Sequence, residues 1–180
     1  EIGYVPGVDN PRRAEHIIVA ALDAHQAGAG QAPRIGVCAV GGCGKTTACV
    51  GVAACEWAHT RFPNGTAWVQ LDASSTLQSI TDAVLALVHR FCGGAAAQQL
   101  ATRTEDKDFV EVAAAYVSSE PVADAAEQLV IIDDVLYKKR GLLRQLLRLI
   151  PSVTPVLFTT RSEAVVVSVP DATLVSIDTF

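Results

Sequence analysis

The sequence predicts an α/β fold built on a parallel sheet, and three observations carry that prediction. Short apolar runs alternate along the chain with stretches of helical period. One run, Leu129-Val130-Ile131-Ile132, is continuously apolar, as a strand covered on both faces must be. Half of the 180 residues are hydrophobic and only 18% are charged, a balance that suits a buried sheet and argues against disorder. The length fits one α/β domain with a single sizeable core, expected to span residues 1–180, and hence one site.

Each element has its own signal. Pro11 opens a helical pattern in which Ala14, Ile17, Ile18, Ala21 and Leu22 share a face, and Gly28-Ala29-Gly30 breaks it. Arg34 to Ala39 is a short apolar strand ending in glycines, and a helix-compatible stretch follows from Lys45 to about His59. The turn Pro63-Asn64-Gly65 precedes a second strand, Thr66 to Leu71, rich in β-branched and aromatic residues. Ser75 is the expected cap of a helix running to about Phe91, which Gly93-Gly94 ends. Asp108 to Val117 reads as helix, and Pro121 interrupts before a further short helical stretch. The apolar strand then ends in Asp133-Asp134. A helix from about Gly141 to Ile150 follows, its apolar face formed by Leu142, Leu143, Leu146, Leu147 and Leu149. Val156-Leu157-Phe158-Thr159 and Thr173 to Ile177 are the last two strands. Strands separated by helices pair in parallel through right-handed crossovers.

Composition excludes several classes. A net charge of -5 gives no electrostatic footprint for a polyanion, so nucleic acid is not the expected partner, and Lys138-Lys139-Arg140 reads as a solvated helix start. No apolar run approaches the ~20 residues that span a bilayer, and no basic-then-apolar leader opens the chain. Five cysteines without CxxC spacing read as reduced thiols in a cytoplasmic protein rather than as zinc ligands or disulfides. Cys43 lies inside a glycine-rich loop, where its oxidation would block ligand binding; the plainer reading is a small loop filler. The chain opens on Glu1 and contains no methionine, so it is expected to be a piece of a longer protein.

The chemistry concentrates at the ends of three strands. A phosphate site needs several donors aimed at one point and a backbone that can wrap the anion. Ala39-Val40-Gly41-Gly42-Cys43-Gly44-Lys45-Thr46 follows an apolar strand and opens a helix, so its N–H groups and the helix N-terminus supply that positive end. Lys45 would reach the β- and γ-phosphates, the Thr46 hydroxyl would coordinate Mg2+, and Thr47 would add a contact to the α-phosphate. The pattern usually starts with glycine; Ala39 in that place narrows the loop's freedom without removing a donor. Asp133, at the C-terminal end of its strand, would hold Mg2+ through water, and Asp134 would be the general base for an attacking water. The alternative is that the two aspartates merely end a strand and cap a helix. Thr159-Thr160-Arg161 again stands just beyond a strand. If that strand lies between the loop strand and the Asp133 strand, Arg161 reaches the terminal phosphate and senses it; otherwise it pairs with Glu163 or another nearby carboxylate. No Asn-Lys-x-Asp segment is present to read guanine, which favours ATP or ADP over GTP. ParA-type partition ATPases carry a lysine where Val40 stands, which counts against that comparison.

Taken together, these residues resemble the nucleotide-binding domain of the NB-ARC group, within the STAND class of AAA+-like signalling ATPases. The likeness rests on Val40 to Thr47, Leu129 to Val135, Val156 to Arg161, and Phe62-Pro63-Asn64-Gly65 leading to Trp68-Val69. Pro11-Arg12-Arg13-Ala14-Glu15 loosely matches the group's leading motif, which places Tyr4 to Val8, and Val8 as a binding residue, near adenine. The resemblance implies a three-layer P-loop NTPase with a five-stranded parallel sheet ordered 2-3-4-1-5. It also implies ADP held at rest, exchange for ATP that drives homo-oligomerisation, and slow hydrolysis that resets the switch. Relatives keep a Gly-x-Pro proline and a Met-His-Asp histidine in helical ARC subdomains that would lie beyond Phe180, followed by effector or sensor domains. A plant, apoptotic or bacterial regulator is the implied setting, with defence signalling among its roles. The competing expectations are a small-molecule kinase, with a second substrate near Asp72 or Arg103, and an interaction module that binds nucleotide without turnover.

Overall fold

The computed structural model describes residues 14–24, 31–104, 108–119, 122 and 124–177. Five strands form one sheet: β1 (Arg34–Cys38), β2 (Thr66–Gln70), β3 (Leu129–Val135), β4 (Val156–Thr160) and β5 (Ala172–Ser176). They pair in parallel throughout, in the order β2-β3-β4-β1-β5. The registers set Arg34 of β1 beside Val156 and Ala172, and Thr66 of β2 beside Leu129. Eight α-helices are described: α1 (Ala14–Ala24), α2 (Lys45–Ala54), α3 (Glu56–Arg61), α4 (Leu77–Cys92), α5 (Gly94–Ala101), α6 (Phe109–Ser119), α7 (Arg140–Leu149) and α8 (Glu163–Val167).

Successive side chains on a strand leave opposite faces, and β3 uses both. Leu129 and Ile131 join Ile35, Val37 and Leu157 under α1, α2 and α3, whereas Val130 and Ile132 join Val156 and Phe158 under α4, α6, α7 and α8. The sheet is therefore the middle of three layers with a core on each side, the architecture expected of a P-loop NTPase. Removing each of these large side chains from water stabilises the fold by about 1.5–3 kcal/mol.

Several boundaries differ from the sequence expectation. The stretch from Lys45 to His59 is two helices, because Cys55 is extended (φ -79, ψ 155) and turns both its N–H and its thiol onto Val52 O. The break allows Trp57 and Phe62 to pack edge to face with ring centroids 5.6 Å apart. The cap of α4 is Thr76, whose hydroxyl accepts from Ser79 N at 3.2 Å, rather than Ser75, whose N–H and hydroxyl both bond Asp72. Gly93 does end α4, but α5 begins at once and buries Ala96 and Leu100 one turn apart. Pro11 and Pro121 lie outside the described residues. Among the described residues no helix is long and apolar enough to cross a membrane.

Candidate functional site

The loop between β1 and α2 is shaped by two glycines with left-handed backbone, Gly42 at φ 82 and Gly44 at φ 74, a conformation that L side chains rarely adopt. Gly44 caps α2, and Lys45 is its first residue. The lysine is 6% exposed, and its Nζ donates to Ala39 O at 2.8 Å and Val40 O at 2.9 Å. The loop thus folds around its own cation, which remains within reach of an anion entering above it. Val40 is 60% exposed and Cys43 half-buried, while Thr47 is exposed in the first turn of α2. Val8 lies outside the described residues.

β4 lies between β1 and β3, the arrangement that Arg161 needs to approach the loop. Asp133, 1% exposed, accepts from the Thr46 hydroxyl (2.9 Å to Oδ2, 3.2 Å to Oδ1) and from the Thr159 hydroxyl (2.5 Å to Oδ1). A buried carboxylate without such donors would be strongly destabilising. Asp134 has φ 52 and meets Arg161 in a two-pronged ion pair, Nε to Oδ1 at 3.2 Å and Nη2 to Oδ2 at 3.1 Å. The arginine's carboxylate partner is Asp134, not Glu163. A Cβ added at Gly41 would stand 3.3 Å from Arg161 Nη1, so the guanidinium lies directly over the loop.

These groups line a cavity of about 280 Å³: the loop glycines, Lys45, Thr46, Gln70, both aspartates and Arg161. Gln70 is the member that sequence reasoning missed. It ends β2 opposite Asp133, and its position at a strand's C-terminal end is the signal that could have found it. Two cavities of about 650 and 640 Å³ are larger. The first, beside Trp68 and α4, is bordered by Arg90, which already donates to Gln128 Oε1 at 2.6 Å and to Asn64 O. The second, around Arg34 and Pro151, lies at the opposite ends of the strands. Convergence of a loop, a cation and two carboxylates makes the smallest of the three the candidate functional site.

All five cysteines are free thiols. Burial pushes the Cys38 thiol up, with Glu163 adding to the effect and Lys45 opposing it. Cys49, beneath the site, is pushed up to about 12, chiefly by burial and further by Asp133. Among the described residues no group of three or more His, Cys, Asp or Glu is placed to hold a metal. The adjoining Thr46 hydroxyl and Asp133 carboxylate are nonetheless hard oxygen donors of the kind Mg2+ takes singly or in pairs alongside phosphate and water. Neither Asp72 nor Arg103, the residues expected near a second substrate in the kinase alternative, lines the cavity, and Ser74, Ser75 and Gln70 all donate to the Asp72 carboxylate. The Ser74 hydroxyl above all holds that carboxyl below the usual range, against the opposing effect of its desolvation.

The sequence matches the NB-ARC domain over residues 18–178. No curated protein matches it. A five-stranded parallel sheet ordered 2-3-4-1-5 and a glycine-rich loop opening a helix at Lys45 accord with that match. The chain belongs to the NB-ARC family of nucleotide-binding P-loop NTPase modules.

Proposed function

We propose that the chain is the ATP/ADP switch module of a STAND-type signalling regulator, in which slow ATP hydrolysis resets the resting state. The observation that carries this reading is the convergence of Lys45, Thr46, Asp133, Asp134 and Arg161 on one cavity beside the loop. In this reading the loop N–H groups from Val40 to Thr47 and Lys45 bind the phosphates, and Thr46 with Asp133 hold Mg2+. Mg2+, when bound, supplies charge neutralisation between the phosphates. Asp134 takes the proton of the attacking water, and Arg161 detects the γ-phosphate by leaving Asp134 for it. The parent protein is proposed to act in the cytoplasm, in signalling such as defence, with ARC and effector domains and a nucleotide-dependent homo-oligomer.

Calorimetric titration of the chain with ADP, Mg-ATP and GTP tests the reading. Saturable binding of both adenine nucleotides and silence with GTP is expected, and Lys45→Ala should remove the binding. A wild-type chain that binds neither ADP nor ATP, or a Lys45→Ala variant that binds as tightly as its parent, sinks the assignment.

A further inference from the structure

Strand geometry poses a problem that the site has to solve. Asp133 and Asp134 are consecutive on β3, so in a regular strand their side chains would leave opposite faces of the sheet, and only one could serve the loop. The pairing of β3 with β4 shows how both do. Ile132 pairs with Phe158 and Val135 with Thr160, so two residues of β3, Asp133 and Asp134, stand opposite one residue of β4, Thr159. This is a β-bulge, which inserts one extra residue, breaks the ladder locally and re-aims a side chain. The left-handed φ of 52 at Asp134 is the turn that does so.

A bulge leaves an N–H without its ladder acceptor, and here the Asp134 N–H donates to Thr159 Oγ1 at 2.8 Å. The same hydroxyl spends its one proton on Asp133 Oδ1 at 2.5 Å. Thr159 is fully buried, so no bulk solvent is available to replace either bond. Its β1 neighbour, Val37, offers no side-chain polar group. The plainer reading, a buried strand threonine that bonds the nearest carbonyl, describes its neighbour instead. Thr160 is equally buried, and its hydroxyl donates to Val135 O at 2.8 Å and accepts from Ser162 N rather than bonding an aspartate side chain.

We infer that Thr159 is a positioning residue: its single hydroxyl fixes the Asp133 carboxylate and locks the bulge that turns Asp134 toward the same cavity. The inference rests on the nucleotide-site reading for its consequence, though not for its geometry. Serine preserves the donor and the acceptor, valine preserves the shape and neither, and Thr160→Val controls for the loss of a buried hydroxyl nearby.

Two measurements test it. In the nucleotide-free chain, amide hydrogen exchange at Asp134 is expected to be protected in the wild type and in Thr160→Val. Protection should fall by about tenfold or more in Thr159→Val, as for loss of a buried hydrogen bond, and be retained in Thr159→Ser. In the second, the gain in ADP affinity on adding Mg2+ should shrink by about tenfold in Thr159→Val, since a carboxylate has lost a donor, and should survive in Thr159→Ser and Thr160→Val. An Asp134 amide that exchanges freely in the wild type overturns the proposal. So does a Thr159→Val variant that keeps both protection and the Mg2+ gain, or a Thr159→Ser variant that loses both. Should Thr159→Val not fold, the wild-type and serine arms decide alone. A wild type that binds no nucleotide while its Asp134 amide depends on Thr159 would defeat the switch reading and leave the positioning role standing.

Discussion

Arg161 and Asp134 form a partly exposed ion pair, with side chains 55% and 22% exposed, so the pair itself adds little to stability. Its importance lies in competition, because in the proposed switch the same guanidinium reads the γ-phosphate. Asp134→Asn keeps the side-chain shape and tolerates the left-handed turn while loosening the grip on Arg161. Hydrolysis should be lost, and ATP should gain affinity over ADP by about 0.2–1 kcal/mol, the range of an exposed pair. An ATP-to-ADP affinity ratio unchanged from wild type would mean that Arg161 does not report on the third phosphate. A second residue-scale prediction concerns pH. The Cys49 thiol is raised from 9.0 to about 12, so between those values the folded chain keeps a proton that the unfolded chain releases. Stability is therefore unaffected below pH 9 and falls as pH rises toward 12, by at most about 1.4 kcal/mol per unit. Urea unfolding of the wild type and Cys49→Ala at about pH 8 and about pH 10.5 should show the alkaline loss to be smaller in the variant. Equal losses would place the alkaline sensitivity elsewhere.

At the scale of elements, β1 is closely packed at Gly36. A Cβ at Gly36 would lie 2.6 and 2.7 Å from the Val166 methyl groups and 2.8 Å from Phe158 Cζ, so α8 and β4 close directly onto this backbone. Gly36→Ala should destabilise by about 1–3 kcal/mol, as overpacking does, read as a lower denaturation midpoint with an unchanged slope. All five strands were legible in the sequence: β1, β3 and β4 because strands buried on both faces read as apolar runs, and the less buried β2 from the β-branched and aromatic residues that follow its turn. The loop, the paired aspartates and Arg161 were legible because each stands just past such a run. What escaped is partly local and partly dependent on partners distant in sequence. The break at Cys55 follows from its turn onto Val52, and α5 follows from three alanines after a glycine pair that reads as a stop. The bulge opposite Thr159 is invisible until β3 and β4 are set in register, and Gln70, though it ends a strand, meets Asp133 only once β2 is set beside β3.

Across the whole molecule, one sheet separates two cores but does not make them independent. Leu157 and Phe158 are consecutive and both fully buried, one in the core under α1 and α2, the other in the core under α4 and α7. Leu157→Ala and Phe158→Ala should each cost about 2–5 kcal/mol. Each should also shift one shared transition, seen alike by far-ultraviolet circular dichroism and by tryptophan fluorescence. Separate transitions for the two variants would show that the layers melt apart. The sheet's margins differ in another way. Among the described residues, β2 and β5 each pair on one side only, and Trp68 and Leu174 stand partly exposed along them. Among the described residues β5 contributes nothing to the candidate cavity, whereas β2 contributes Gln70 at its very end. A strand added beside β5 would lengthen the sheet with the pocket walls untouched. One added beside β2 would stand next to the strand whose end lines the cavity, so the two margins are unequal with respect to the proposed nucleotide site.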